Sequence, residues 1–76
     1  MRNLVQPGQP LTKREKQVLE LTAQGLTDKE IARTLFLGVG TTAKAQRDIK
    51  VKLGARSRAN AVYLAIAQEG TARHAH

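Results

Sequence analysis

Residues 27–53 read TDKEIARTLFLGVGTTAKAQRDIKVKL, and this stretch decides the fold. Thr27 and Glu30 have the spacing of a capping box, in which each side chain bonds a free backbone N–H at a helix start. Ile31 and Leu35 follow at helical spacing, so a helix of about two turns is predicted here.

Gly38 and Gly40 interrupt that spacing and predict a turn, because glycine weakens a helix interior by roughly 1 kcal/mol. A second helix is predicted from Thr41 to Leu53, with two opposite stripes of side chains. The stripe predicted to pack inward contains Thr42, Gln46, Ile49 and Leu53. The stripe predicted to face outward contains Ala43, Lys44, Arg47 and Val51.

Gln46 places an amide on the inward stripe. Burying an amide without partners costs roughly 1 to 3 kcal/mol, so either Gln46 finds hydrogen bonds or this helix packs less tightly. Replacing Gln46 with leucine is expected to raise the melting temperature, because an apolar group on this stripe gains about 1 kcal/mol or more from burial.

Two further helices flank the central stretch. A second capping box, formed by Thr12 and Glu15, opens a helix predicted from Lys13 to Gln24. Gly25 ends it, because glycine readily adopts the left-handed conformation of a helix stop. After the central stretch, a last helix is predicted from Arg58 to Gln68.

The last helix is apolar around nearly its whole circumference, which is unusual for a surface helix of a monomer. Three of its residues are assigned to the core: Ala61, Val62 and Ala65. Three others are predicted to point away from the core and to form a dimer interface: Tyr63, Leu64 and Ala67. Exposed apolar residues are common on protein surfaces, so a merely tolerated surface is the alternative.

A chain of 76 residues is long enough for one small domain. The four predicted helices define an all-α fold over residues 11–69. Residues 1–10 contain two prolines and a glycine without any period, and they are predicted to form a flexible arm. Residues 70–76 are predicted to be a disordered tail.

The net charge of +7 favours a polyanionic partner. Residues 44–58 contain six cations and one acid, whereas residues 12–33 contain five cations and four acids. The excess is therefore focused on the second half of the central stretch and on the five residues after it. Such a focus is typical of nucleic-acid binding.

Other kinds of site are not expected. The chain has no cysteine, which excludes disulfides and thiolate metal sites. His74 and His76 have no third ligand nearby, so no metal site is predicted. The sequence has no acid pair, no nucleophile beside a base and no phosphate loop, so neither an enzyme nor a cofactor is predicted. Without an apolar run of membrane length or a secretory leader, a cytoplasmic protein is expected.

Residues 11–36, LTKREKQVLELTAQGLTDKEIARTLF, combine two capping boxes, a glycine stop and a hydrophobic face at fixed offsets. Together with Thr41, Ile49, Lys52-Leu53-Gly54 and Arg56-Ser57-Arg58, they resemble the LuxR-type helix-turn-helix domain, also called the GerE or FixJ type. The similarity extends over about residues 11–68 without a gap.

This resemblance implies a DNA-binding module of bacterial transcription regulators, with the third helix in the major groove and the fourth in a twofold dimer contact. A chain this short is expected to be a stand-alone version, without the receiver or ligand-binding domain that usually precedes the module. The chain departs from the family pattern at five positions, where the family usually has Ser or Thr, Val, Lys, His and an aliphatic residue. These positions are Gly38, Thr42, Ala43, Ala45 and Gln46.

In this context the outward stripe is predicted to read bases. Lys44 and Arg47 are placed to donate to guanine, and Ala43 and Val51 to contact a thymine methyl group. Phosphate contacts, which set register without reading sequence, are predicted for Lys29, Thr41, Lys50, Lys52, Arg56 and Arg58. For both sets the alternative is a solvated basic surface without a partner.

Two hypotheses about function remain at this point. The first is a small transcription regulator that binds operator DNA as a homodimer through its third helix. The second is a small antagonist or adaptor that binds a larger transcription regulator and modulates it without specific DNA readout. The charge supports the first hypothesis, and the departures in the third helix motivate the second.

Overall fold

The computed structural model describes the backbone of residues 4–74 and the side chains of residues 4–68. Four helices form, and residues 4–74 contain no strand. Their bounds are α1 Lys13–Ala23, α2 Asp28–Leu35, α3 Val39–Leu53 and α4 Arg58–His74. The predicted all-α, four-helix fold is confirmed.

Both predicted capping boxes are present. At the start of α1, the Thr12 hydroxyl accepts from the Glu15 N–H at 3.1 Å, and Glu15 Oε1 accepts from the Thr12 N–H at 2.9 Å. Thr27 and Glu30 exchange the same two bonds at the start of α2, at 3.2 and 2.8 Å. Each box satisfies two backbone donors that a helix start leaves free, which fixes where α1 and α2 begin.

The turn between α2 and α3 begins earlier than the glycines suggest. Phe36 ends α2 in the left-handed conformation, with φ of 58°, and the Leu37 N–H donates to the Ala32 carbonyl at 2.8 Å. This is a Schellman-type helix stop made without glycine. The Phe36 side chain is 95% exposed.

Helix α3 begins at Val39, two residues before the predicted start at Thr41. Gly38 is its N-cap and offers no side-chain hydrogen bond, so Gly40 lies inside the first turn and not in the preceding turn. Thr42 ties this end together, because its N–H and its hydroxyl both donate to the Gly38 carbonyl, at 3.0 and 3.1 Å.

The core forms around α3, which packs against each of the other three helices. Its buried apolar residues are Val18, Leu19, Ile31, Ala45, Ile49 and Ala61. The inward stripe is confirmed, since Thr42, Gln46 and Ile49 are buried and Leu53 packs against the core. The sequence did not reveal Ala45, which is buried beside that stripe.

Helix α4 continues to His74, beyond the predicted end at Gln68. The predicted inward face is present, because Ala61 is buried while Val62 and Ala65 pack against the core. The predicted disordered tail thus begins within a helix, and its side chains and residues 75 and 76 lie outside the described residues.

The N-terminal arm is described from Leu4 onward and contains no helix. The Gly8 N–H donates to the Lys52 carbonyl at 2.9 Å, which joins the arm to the end of α3. The Gln6 N–H donates to the Gln9 side chain at 3.0 Å across a local turn. The flexibility of the arm stays a prediction.

Gln46 is 3% exposed, and its amide is hydrogen-bonded. Its Nε2 donates to the Thr22 hydroxyl at 2.8 Å and to Asp28 Oδ1 at 3.2 Å. The Thr22 hydroxyl in turn donates to the Val18 carbonyl at 2.9 Å. Of the two alternatives for Gln46, the hydrogen-bonded one is present, and its bonds reverse the direction expected for the leucine substitution.

Gln46→Leu is therefore expected to lower the free energy of unfolding by about 1 to 3 kcal/mol, because it leaves polar groups of Thr22 and Asp28 without a buried partner. Urea unfolding followed by circular dichroism measures this loss. Gln17→Leu, the same substitution at an exposed position of α1, serves as the control and should change stability by less than about 0.5 kcal/mol. A more stable Gln46→Leu variant would contradict the assignment.

Candidate nucleic-acid interface

The outward stripe of α3 lies on the side opposite its buried residues. Lys44, Arg47 and Val51 are exposed, and Ala43 is half-buried. The structure thus brings the four residues predicted to read bases onto one face of one helix. A helix face of this kind fits the width of the DNA major groove.

The two cations of this stripe differ in their surroundings. Lys44 Nζ lies 2.9 Å from Asp48 Oδ2, one turn further along α3. An exposed pair with this spacing contributes only about 0.3 to 0.5 kcal/mol, but it offsets the Lys44 charge. Arg47 has no such pair among the described residues, so its guanidinium is the more available donor on this face.

The six residues predicted to contact phosphate fall into three groups. Lys29, Thr41 and Arg56 are exposed, and Lys50 is half-buried. Arg58 is exposed but ion-paired, and Lys52 is not at the surface.

The structure contradicts the phosphate contact predicted for Lys52. Its ammonium lies 2.7 Å from Glu15 Oε1, and the two side chains are only 8% and 9% exposed. Lys52 follows Ile49 by three residues, which places it on the buried side of α3, where it faces the start of α1. This ammonium is held inside the domain and is removed from the phosphate set. The helical spacing from Ile49 was the sequence signal that the phosphate assignment overlooked.

Lys52→Ala is accordingly expected to act on stability and not through a lost phosphate contact. Removing one partner of a buried ion pair leaves the other charge uncompensated, and we expect a loss of about 3 kcal/mol in the free energy of unfolding. Chemical denaturation tests this, with Lys29→Ala as an exposed control that should change little. A loss no larger than that of the control would mean that the pair is not maintained in solution.

Arg58 connects the starts of two helices. Its Nη2 donates to Asp28 Oδ2 at 2.6 Å, and its side chain remains 46% exposed. Asp28 is the first residue of α2, and Arg58 is the first residue of α4. Each of these starts is capped by a hydroxyl, from Thr27 and from Ser57, the latter accepting from the Asn60 N–H at 3.1 Å.

The acids of α2 and α3 are Asp28, Glu30 and Asp48, of which Glu30 belongs to a capping box and the other two are ion-paired. Within the described part of the chain, several cations of this region have no such pair. Asp28 pairs with Arg58 and Asp48 pairs with Lys44, both within 3 Å. The exposed or half-buried cations from α2 to the first residue of α4 exceed these acids in number: Lys29, Arg33, Lys44, Arg47, Lys50, Arg56 and Arg58. The surface that includes the outward face of α3 is therefore cationic, as a surface that binds a polyanion requires.

Apart from Leu4 in the arm and Val51 on the outward stripe, the large exposed apolar side chains lie in two places. Phe36 and Val39 flank the turn before α3, which the sequence did not indicate. On α4, Tyr63 and Ile66 are 66% and 60% exposed. Leu64 and Ala67, which were predicted to point outward with Tyr63, are half-buried.

Within the described residues, no group of three or more side chains is arranged to hold a metal ion. The side chains of His74 and His76 lie outside those residues. None of the helices that the structure describes has both the length and the apolar character needed to cross a membrane.

Residues 9–65 match the family model described as bacterial regulatory proteins of the luxR family. The geometry and this match define a LuxR-type helix-turn-helix domain, in which α2 and α3 are the two helices of the motif. The chain belongs to the luxR family of bacterial regulatory proteins, whose helix-turn-helix domains bind DNA and regulate transcription.

Individual relatives agree with the family match. The chain is 38% identical over 63 residues to the uncharacterized transcriptional regulatory protein YvfU of Bacillus subtilis, a match that covers 83% of the chain and 32% of the relative. It is 39% identical over 64 residues to the oxygen regulatory protein NreC of Staphylococcus aureus, covering 84% of the chain and 30% of that protein. The chain thus spans about a third of the length of these relatives.

Proposed function

We propose that this domain binds operator DNA as a homodimer, with α3 in the major groove, and regulates transcription in the cytoplasm. The observation that carries the proposal is the two-sided character of α3. One side is buried against the other three helices, while the opposite side presents Arg47 and Lys44 to solvent. A helix fixed on one side by the core can enter a groove as a rigid reader.

Arg47 carries most of the proposed base readout. Its planar guanidinium can donate two hydrogen bonds to O6 and N7 of one guanine, a contact worth about 1 to 3 kcal/mol of discrimination. Lys44 is the secondary donor, because Asp48 shares its charge. Ala43 and Val51 add apolar surface that suits a thymine methyl group.

Five residues are proposed to hold the phosphate backbone: Lys29, Thr41, Lys50, Arg56 and Arg58. They are exposed or half-buried, and they come from α2, from α3, from the segment between α3 and α4, and from the first residue of α4. Such contacts position the domain on the duplex and make its affinity dependent on salt.

A matched pair of arginine substitutions tests this division. Arg47→Ala should relax the preference at one base position in each half-site, at a cost of roughly 1 to 3 kcal/mol for the preferred duplex. Arg56→Ala should weaken binding to all duplexes alike and lower the salt slope by about one. Fluorescence anisotropy over a salt series, with duplexes selected from random sequences, measures both quantities.

The two variants are each other's control, since both remove an exposed arginine. If the unmodified chain selects no sequence and the two variants lose affinity equally, α3 does not read bases. The cationic surface would then bind DNA only through its charge.

The dimer is proposed to form through α4, with Tyr63, Leu64 and Ala67 at the contact. Tyr63 and the neighbouring Ile66 are large and mostly exposed, while Leu64 and Ala67 are partly accessible. Aromatic side chains are enriched where subunits meet, and homodimer interfaces are more apolar than the rest of the surface. A twofold dimer would place two α3 helices on two half-sites of one duplex.

Tyr63→Lys should convert the dimer into a folded monomer, because it buries a charge at the proposed contact without touching the core. Sedimentation velocity reports the mass, and circular dichroism reports the fold. Leu4→Lys is the control, since Leu4 is equally exposed, at 66%, but lies in the arm. An unmodified chain that sediments as a monomer at high concentration would disprove the dimer.

One observation favours a second function. Helix α3 has Gly38 as an N-cap without a side-chain hydrogen bond and Gly40 in its first turn, and on its outward face Asp48 shares the Lys44 charge. A third helix with few hydrogen-bond donors and a loosely held first turn suits an antagonist or adaptor that binds a larger transcription regulator. Wholly non-specific DNA binding in the arginine experiment would support this alternative.

A further inference from the structure

The Asp28 carboxylate receives hydrogen bonds from two other helices, one on each oxygen. Oδ1 accepts from Gln46 Nε2 of α3 at 3.2 Å, and Oδ2 accepts from Arg58 Nη2 of α4 at 2.6 Å. In the described part of the chain, α2 and α4 do not pack directly on each other. The ion pair with Arg58 is therefore what joins the starts of these two helices.

We propose that Asp28 is a specificity-determining residue that contacts no base. It fixes the guanidinium of Arg58 relative to α3, so that Arg58 meets a phosphate only when α3 is in its correct register in the groove. The inference rests on the proposed DNA-binding function. Asp28 acts through Arg58 and is therefore a positioning residue.

The first step of the argument is geometric. Asp28 is only 22% exposed, and it is held by its place in the first turn of α2 and by Gln46, which is buried in the core. A guanidinium has five N–H donors in a rigid plane, and Nη2 supplies the one that bonds Asp28. The other donors keep a fixed direction while 46% of the side chain stays open to a phosphate.

The second step concerns charge. Non-specific binding depends on the number of cations that neutralise phosphates and requires no particular register. Asp28 offsets the Arg58 charge, so a mixed-sequence duplex gains little from Arg58. At the preferred site the fixed guanidinium is already aligned with a phosphate. Binding there orders this long side chain very little and so loses little conformational entropy. Asp28 thus lowers non-specific binding more than specific binding.

No other acid described in the structure has this arrangement. Asp48 pairs with Lys44 within α3 and connects no second helix. Glu15 joins α1 to α3, but its partner Lys52 is buried and cannot reach a phosphate. Among the described ion pairs, only that of Asp28 joins α3 to other helices and also includes an exposed cation.

The test compares two duplexes: one selected by the unmodified chain from a random pool, and one of mixed sequence. Asp28→Asn keeps an oxygen for Gln46 but removes the charge that holds Arg58. We expect about fivefold tighter binding to the mixed duplex, with a steeper salt slope, and little change for the selected duplex. The ratio of the two affinities should fall about fivefold.

A double-mutant cycle separates positioning from a structural effect. In the Arg58→Ala background, Asp28→Asn should leave the affinity ratio unchanged, because the guanidinium through which Asp28 acts is absent. An equal fall of the ratio in both backgrounds would overturn the inference, as would no fall with Arg58 present. Glu20→Gln, which removes an exposed acid from α1, is the control and should leave the ratio as it is.

Thermal melting of each variant checks the fold. Should Asp28→Asn not fold, Arg58→Lys replaces it, because lysine keeps the charge but lacks the planar fork. The ratio should fall for Arg58→Lys too, and an unchanged ratio would contradict the inference. If the unmodified chain selects no duplex at all, the proposed function itself fails. If selection occurs but Asp28→Asn does not change the ratio, only the role of Asp28 fails.

Discussion

The hydrogen bonds of the buried Gln46 amide hold the domain together at its centre. Through Thr22 they connect α3 to α1, and through Asp28 they connect it to α2 and, by way of Arg58, to α4. Apolar side chains pack around Ile49 in the core, but apolar burial is non-directional. Hydrogen bonds require defined positions, so this network fixes how α3 is rotated and which of its faces remains outside.

A second constraint acts at the far end of α3. The ion pair between Glu15 and Lys52 holds the last turn of α3 against the first turn of α1, and the arm adds the bond from Gly8 to the Lys52 carbonyl. Glu15 has two duties, because the same oxygen also accepts from the Thr12 N–H in the capping box. The start of α1 and the end of α3 are thus fixed by one carboxylate.

The sequence revealed the features that depend on neighbours along the chain. The capping boxes, the two stripes of α3 and the inward face of α4 follow from local spacing, and the structure contains all three. Partners distant in sequence were not visible: Lys52 meets Glu15 across 37 residues, and Gln46 meets Thr22 across 24. Lys52 was therefore predicted to be exposed, and Gln46 to destabilise the core, although the fold supplies a partner for each side chain. The left-handed Phe36 was also missed, because glycine is the usual signal for that conformation.

The unequal support of the two ends of α3 affects how this helix behaves. Its middle and its last turn are tied to three helices, but its first turn depends on Gly38 and Thr42 alone, with Gly40 adding backbone freedom. The first turn of α3 is therefore the end at which fraying is expected. Val39, Gly40 and Thr41 are exposed and pack on no part of the core. In the proposed complex this end of α3 would adapt to local differences in groove width without disturbing the core, while Arg47 would stay on a turn that the core holds.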